Sequence, residues 1–82
     1  MQLSAELTLY PLKDQYLPII EATIEKLNSF DNISVRTFPT ATILVGNYDD
    51  VMACIDDTMH WCYEEFGKCI FIAKFIPGYE AK

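Results

Sequence analysis

Apolar residues recur along this chain with two different periods, and the order in which those periods alternate limits the fold to very few choices. From Gln2 to Tyr10, Leu3, Ala5, Leu7 and Leu9 fall on one side and Ser4, Glu6, Thr8 and Tyr10 on the other. Period two is the mark of a strand with one buried face. From Asp14 to about Ser29, Leu17, Ile20, Ile24 and Leu27 recur at three and four, which stacks them on one face of a helix. Asp14 is the candidate N-cap, and Pro18 is tolerable in the first turn.

The pattern then repeats with one change. Ile33 to Phe38 and Ala41 to Val45 read as short strands, separated by Pro39-Thr40, a connection of hairpin length. Asn47 can cap a second helix whose first turn carries Asp49 and Asp50. Its stripe is Val51, Ile55, Thr58, Met59, Cys62 and Phe66, and Gly67 stops it. Cys69 to Ile76 alternates again. Strand, helix, strand, strand, helix, strand is the βαββαβ order of a ferredoxin-like α+β sandwich, a four-stranded antiparallel sheet with both helices on one face. With 82 residues there is room for one core, so residues 1–82 form a single domain.

Such a layout covers one sheet face and leaves the other open. The covered face is expected to hold Leu3, Ala5, Leu7, Leu9, Ile33, Val35, Ile43, Val45, Phe71 and Phe75. The open face is expected to hold Ser4, Glu6, Thr8 and Tyr10; Ser34, Arg36 and Phe38; Thr42 and Leu44; and Ile70, Ile72 and Lys74. That second set mixes charges with large apolar groups. Apolar clusters of this kind mark an interface more often than a wetted surface, and charges buried in one need partners. Association through this face, as a homodimer or tetramer, is therefore expected. The 51% apolar content, high for so small a domain, points the same way.

Twelve acidic against six basic residues give a formal charge of −6, and no Lys/Arg cluster interrupts it, which excludes nucleic acid as a partner. No apolar run approaches the roughly 20 residues that span a bilayer, so no membrane association is expected. Cys54, Cys62 and Cys69 are an odd number with no export signal before them, and this implies reduced thiols and a cytoplasmic protein.

Catalytic motifs are weak. Cys54, His60, Cys62 and Cys69 lack the Cys-x2-Cys spacing of a zinc site. His60 has no nucleophile at a recognisable spacing, and Asp49-Asp50 and Asp56-Asp57 fit helix capping and a polar helix side. Gly46, Gly67 and Gly78 are too dispersed to cradle a phosphate. The reading is a binding module, not an enzyme, with no cofactor. Tyr10, Trp61, Tyr63 and Tyr79 are the aromatic groups able to stack on a flat or cationic ligand. Tyr10 stands out among them because Glu6 and Thr8 share its face.

Ser4-Ala5-Glu6-Leu7-Thr8-Leu9-Tyr10-Pro11-Leu12, followed by Tyr16-x-Pro18-x-Ile20, resembles the YkoF-like thiamine/hydroxymethylpyrimidine-binding family. So do Thr42-x3-Gly46-x-Tyr48-Asp49-Asp50-Val51-Met52 and Gly67-Lys68-x2-Phe71-x-Ala73-Lys74-Phe75. The likeness runs in order along nearly the whole chain. It implies a ferredoxin-like unit that binds thiamine or its pyrimidine without catalysis, and that assembles through its sheet. Carried onto this sequence, it implies that Glu6 accepts a hydrogen bond from an exocyclic amine, that Tyr10 stacks, and that Thr42 and Lys74 fix polar edges. Thr8 and Arg36 join this ligand set from the same face. The alternative is a ligand-free interaction or regulatory module that docks a partner on that face, with Glu6, Arg36 and Lys74 as interfacial ion pairs.

Overall fold

A computed structural model describes residues 1–81. The elements are β1 (Gln2–Pro11), α1 (Leu17–Asn28), β2 (Ile33–Phe38), β3 (Ala41–Asn47), α2 (Tyr48–Phe66) and β4 (Cys69–Pro77). All strand pairs are antiparallel and the sheet order is β2-β3-β1-β4, the ferredoxin-like arrangement expected from the pattern. Leu3, Ala5, Leu7, Leu27, Leu44, Val51, Cys54 and Ile55 form the core between sheet and helices.

Directly paired residues in an antiparallel ladder project to the same face, so the register settles the sidedness of every strand. Ala5 pairs with Leu44 and Leu7 with Thr42, while Ser4 pairs with Val45 and Glu6 with Ile43. Leu44 and Thr42 therefore face the helices, fully buried and 7% exposed respectively. Ile43 and Val45 face the other way. This corrects the expected phase of β3, which placed Thr42 and Leu44 on the open face. The cause is the hairpin. With only Pro39 and Thr40 between the strands, Phe38 pairs with Ala41, and an outward Phe38 forces Ala41, Ile43 and Val45 outward too. The composition of β3 could not reveal this, because both of its faces are apolar. The sides of β1, β2 and β4 are as expected, although Phe75 stays partly exposed on the edge strand.

α1 begins later than expected. Asp14 at the N-cap would require the residue-18 amide to close the first helical bond, and Pro18 has none. The N-cap is instead Tyr16, whose carbonyl accepts from Ile20 N–H at 3.0 Å, which puts Pro18 harmlessly in the first turn. The buried line is Ile19, Thr23 and Leu27. Ile20 and Ile24 flank it half-buried, and Leu17 is exposed. Thr23 satisfies its hydroxyl on the Ile19 carbonyl at 2.8 Å. In α2, Asn47 accepts from Asp49 N–H at 3.1 Å as the expected cap. Gly67, at φ 81°, ends the helix with its N–H on the Tyr63 carbonyl. Met59, assigned to the stripe from the sequence, is exposed, and Cys54 takes a core place instead.

Beyond β4 the chain folds back over the open face. Ser4 Oγ donates to the Tyr79 carbonyl at 2.7 Å and accepts from Ala81 N–H at 2.8 Å. Ser4 is therefore buried although it points away from the helices, and its ladder partner Val45 is buried on the same face. No helix among the described residues is long and apolar enough to cross a membrane.

Thr58 in α2 is fully buried, and its hydroxyl makes no hydrogen bond of good geometry among the described residues, its neighbour one turn back being only the weak acceptor Cys54 thiol. Desolvating such a group costs about 1–3 kcal/mol. Thr58→Val should therefore leave stability unchanged or raise it in urea denaturation, whereas Leu44→Ala should cost about 2–5 kcal/mol. A loss above about 1 kcal/mol for Thr58→Val would show that the hydroxyl is satisfied.

Candidate functional site

The central strand β1 has two neighbours of unequal reach. Its pairing with β4 continues to Pro11↔Cys69, but its pairing with β3 stops at Leu7↔Thr42. The β2–β3 hairpin turns back there, so Leu9, Tyr10 and Pro11 run past its tip by roughly 10 Å at about 3.3 Å per residue. On that side the backbone of β1 has no strand partner. Thr8 Oγ1 donates to the Thr40 carbonyl at 3.3 Å and ties the hairpin tip to the strand at the point where they part.

A cleft of about 570 Å³ opens in this gap, between the hairpin tip, the end of β1 and the start of α1. Thr8, Leu9, Tyr10, Pro11, Leu12, Tyr16, Ile20, Pro39 and Thr40 line it. Beneath it, between α1 and the sheet, lies a narrower cavity of about 90 Å³ that shares Thr8, Leu9, Ile20, Pro39 and Thr40 and adds Thr23 and Thr42. Two tyrosines, two threonine hydroxyls and an unpaired strand edge around an apolar hollow are the makings of a small-molecule site of ordinary size.

The residues expected at the site fall into three places. Thr8 and Tyr10 line the cleft, and Tyr10 is about half exposed at its mouth. Thr42 lies under the sheet in the inner cavity, not on the open face. Glu6, Lys74 and Arg36 lie in one transverse row, because Arg36 pairs with Ile43, Ile43 with Glu6 and Glu6 with Lys74. Lys74 Nζ stands 3.7 Å from Glu6 Oε1, with both side chains well exposed, and an ion pair in that setting is worth about 0–1 kcal/mol. Glu6 and Tyr10 are about 13 Å apart along the strand. One pyrimidine ring cannot touch both.

Tyr16, Pro39 and Thr40 were absent from the sequence-derived set. Their place follows once the strand order brings the hairpin tip beside the end of β1, a non-local fact that no local motif carries. Of the other aromatic candidates, Trp61 packs edge-on against Phe66 at 5.6 Å between ring centres. Tyr63 and Tyr79 are exposed. His60 lies on the outer surface of α2, 3.5 Å from Asp56. No three His, Cys, Asp or Glu side chains gather among the described residues in a way that could hold a metal.

No family model matches the chain, and no curated protein matches it. Solved structures do. SP2199 from Streptococcus pneumoniae superposes with a TM-score of 0.87 at 21% identity, over 96% of this chain and 89% of that one. TM0486 from Thermotoga maritima, whose name assigns it provisionally to thiamine biosynthesis or salvage, superposes at 0.82 and 14% identity over 100% of this chain and 85% of that one. A DUF77 domain of unknown function from Bacillus cereus follows at 0.78 and 17%, over 100% and 83%. The chain shares their fold. At these identities the likeness speaks for the fold alone, and function has to be argued from the site.

Proposed function

We propose that this protein binds a small flat heterocycle, thiamine or its hydroxymethylpyrimidine moiety, without catalysis, in the cleft between the end of β1 and the hairpin tip. The carrying observation is the cleft itself, with Tyr10 at its mouth and Tyr16, Thr8 and Thr40 around it. Tyr10 stacks on the ring, the two hydroxyls and the free edge of β1 meet its polar rim, and the apolar floor excludes water. A net charge of −6 favours a cationic thiazolium ligand, and a tyrosine face adds cation–π attraction. The motif likeness to the YkoF-like family and the provisional naming of a structural neighbour support the choice of heterocycle. Calorimetry with thiamine and with hydroxymethylpyrimidine tests it. Binding is expected with at least one of them, and Tyr10→Ala should weaken it about 3- to 10-fold, the loss of one stacking contact of about 0.5–1.5 kcal/mol. Absence of both heat and thermal stabilisation at millimolar ligand rejects the proposal.

The open face belongs to assembly in this reading, in a cytoplasmic homodimer or tetramer. Phe38, Ile70, Ile72 and Ile76 are all exposed there, about half in each case. The Arg36–Glu6–Lys74 row supplies both signs of charge for a self-complementary contact. Ile72→Glu places an unpaired charge in the middle of that contact. Sedimentation should show an oligomer for the parent chain and a folded monomer for the variant. A parent chain that remains monomeric at high concentration contradicts assembly and favours the open face as a dock for another protein.

A further inference from the structure

Cys62 and Cys69 lie on the helix side of the sheet, next to the proposed site but outside its lining: Cys69 pairs with Pro11, and Leu12 lines both the cleft and the hollow beside Cys69. Cys62 lies in the last part of α2, fully buried. Cys69 is the first residue of β4, half-buried, and both are free thiols. Their sulfurs are 3.5 Å apart, with the Cys62 S–H donating to Cys69. A disulfide needs about 2.05 Å, so the sulfurs have to approach by about 1.5 Å to bond. The turn between them contains Gly67 in a positive-φ conformation.

We propose that Cys62 and Cys69 form an oxidisable dithiol, which a low-molecular-weight disulfide such as glutathione disulfide converts into an intramolecular bridge between α2 and β4. Cys69 is the entry point. It lines an open hollow with Leu12, Met59, Tyr63, Gly67 and Lys68, and Lys13 Nζ stands 3.9 Å from where a Cβ on Gly67 would lie. The positive charge of Lys68 at this hollow attracts the carboxylates of glutathione. Cys62 is held in reserve. Burial above all, then its S–H bond to Cys69 and the charge Cys69 can carry, push its pKa up to about 11.

The chemistry balances in two exchanges. The Cys69 thiolate attacks one sulfur of glutathione disulfide, forming a mixed disulfide and releasing a glutathione thiolate. Cys62 then attacks the Cys69 sulfur, its proton leaving with the second glutathione. The protein loses two electrons and two protons, and the oxidant becomes two molecules of glutathione. The bridge locks the Gly67–Lys68 turn and fastens the edge strand β4 to the helix layer. Cys54, buried elsewhere in the core, takes no part.

The test is equilibration of the full chain in glutathione buffers of rising oxidised fraction, followed by alkylation under denaturing conditions and peptide mass mapping. The expected product has lost two hydrogens, carries a Cys62–Cys69 linkage, leaves Cys54 as the single alkylated thiol, and melts roughly 5 °C or more above the reduced form. Cys69→Ala, at the less buried position, should fold and abolish both the linkage and the rise in Tm. Three alkylatable thiols at every ratio, a persistent glutathione adduct on Cys69, or disulfides between chains would each overturn the proposal.

Discussion

The molecule depends on β1 having two edges matched to partners of different length. As the inner strand next to β4 and β3, it carries Leu3, Ala5 and Leu7 into the core and holds the sheet together through both ladders. Had β3 run the full length of β1, the sheet would be rectangular and its end would present only loops. Because the hairpin turns at Pro39-Thr40, three residues of β1 stand beyond it. The start of α1, displaced toward Leu17 by Pro18, leaves the Leu12–Tyr16 segment to form the far wall. The cleft is the space between a strand that continues and a hairpin that does not.

The same sheet gives the two proposed roles separate places. The proposed ligand site is the end of β1, where aromatic rings and hydroxyls surround an apolar hollow. The proposed assembly surface is the middle of the open face, where exposed isoleucines flank a row of opposite charges. The C-terminal segment covers the other end of that face at Ser4, and so narrows the surface left for a partner. The thiol pair lies on the helix side, joined to the end of β1 through the pairing of Cys69 with Pro11.

The element order was legible because each segment has one strong period, and the caps Asn47 and Gly67 are local signals that work through backbone hydrogen bonds. Two features resisted. The pattern of β3 does not show that Thr42 and Leu44 face the helices, because the strand is apolar on both sides and only the two-residue loop that pairs Phe38 with Ala41 decides its phase. Asp14 is a good capping residue in isolation, but the missing amide of Pro18 vetoes a helix start there and moves it to Tyr16. Within the candidate site, Thr8 and Tyr10 could be found from their alternation on one strand. Tyr16, Pro39 and Thr40 could not, since they reach the site only through the sheet order.

Ligand binding at the overrun of β1 is most directly tested by following backbone amide resonances of the full chain while hydroxymethylpyrimidine is added. The account predicts that shifts concentrate in Thr8–Tyr10, Leu12, Tyr16, Ile20 and Thr40, with the Arg36, Glu6 and Lys74 amides little moved. Shifts centred on that charged row instead, with the cleft silent, would contradict it.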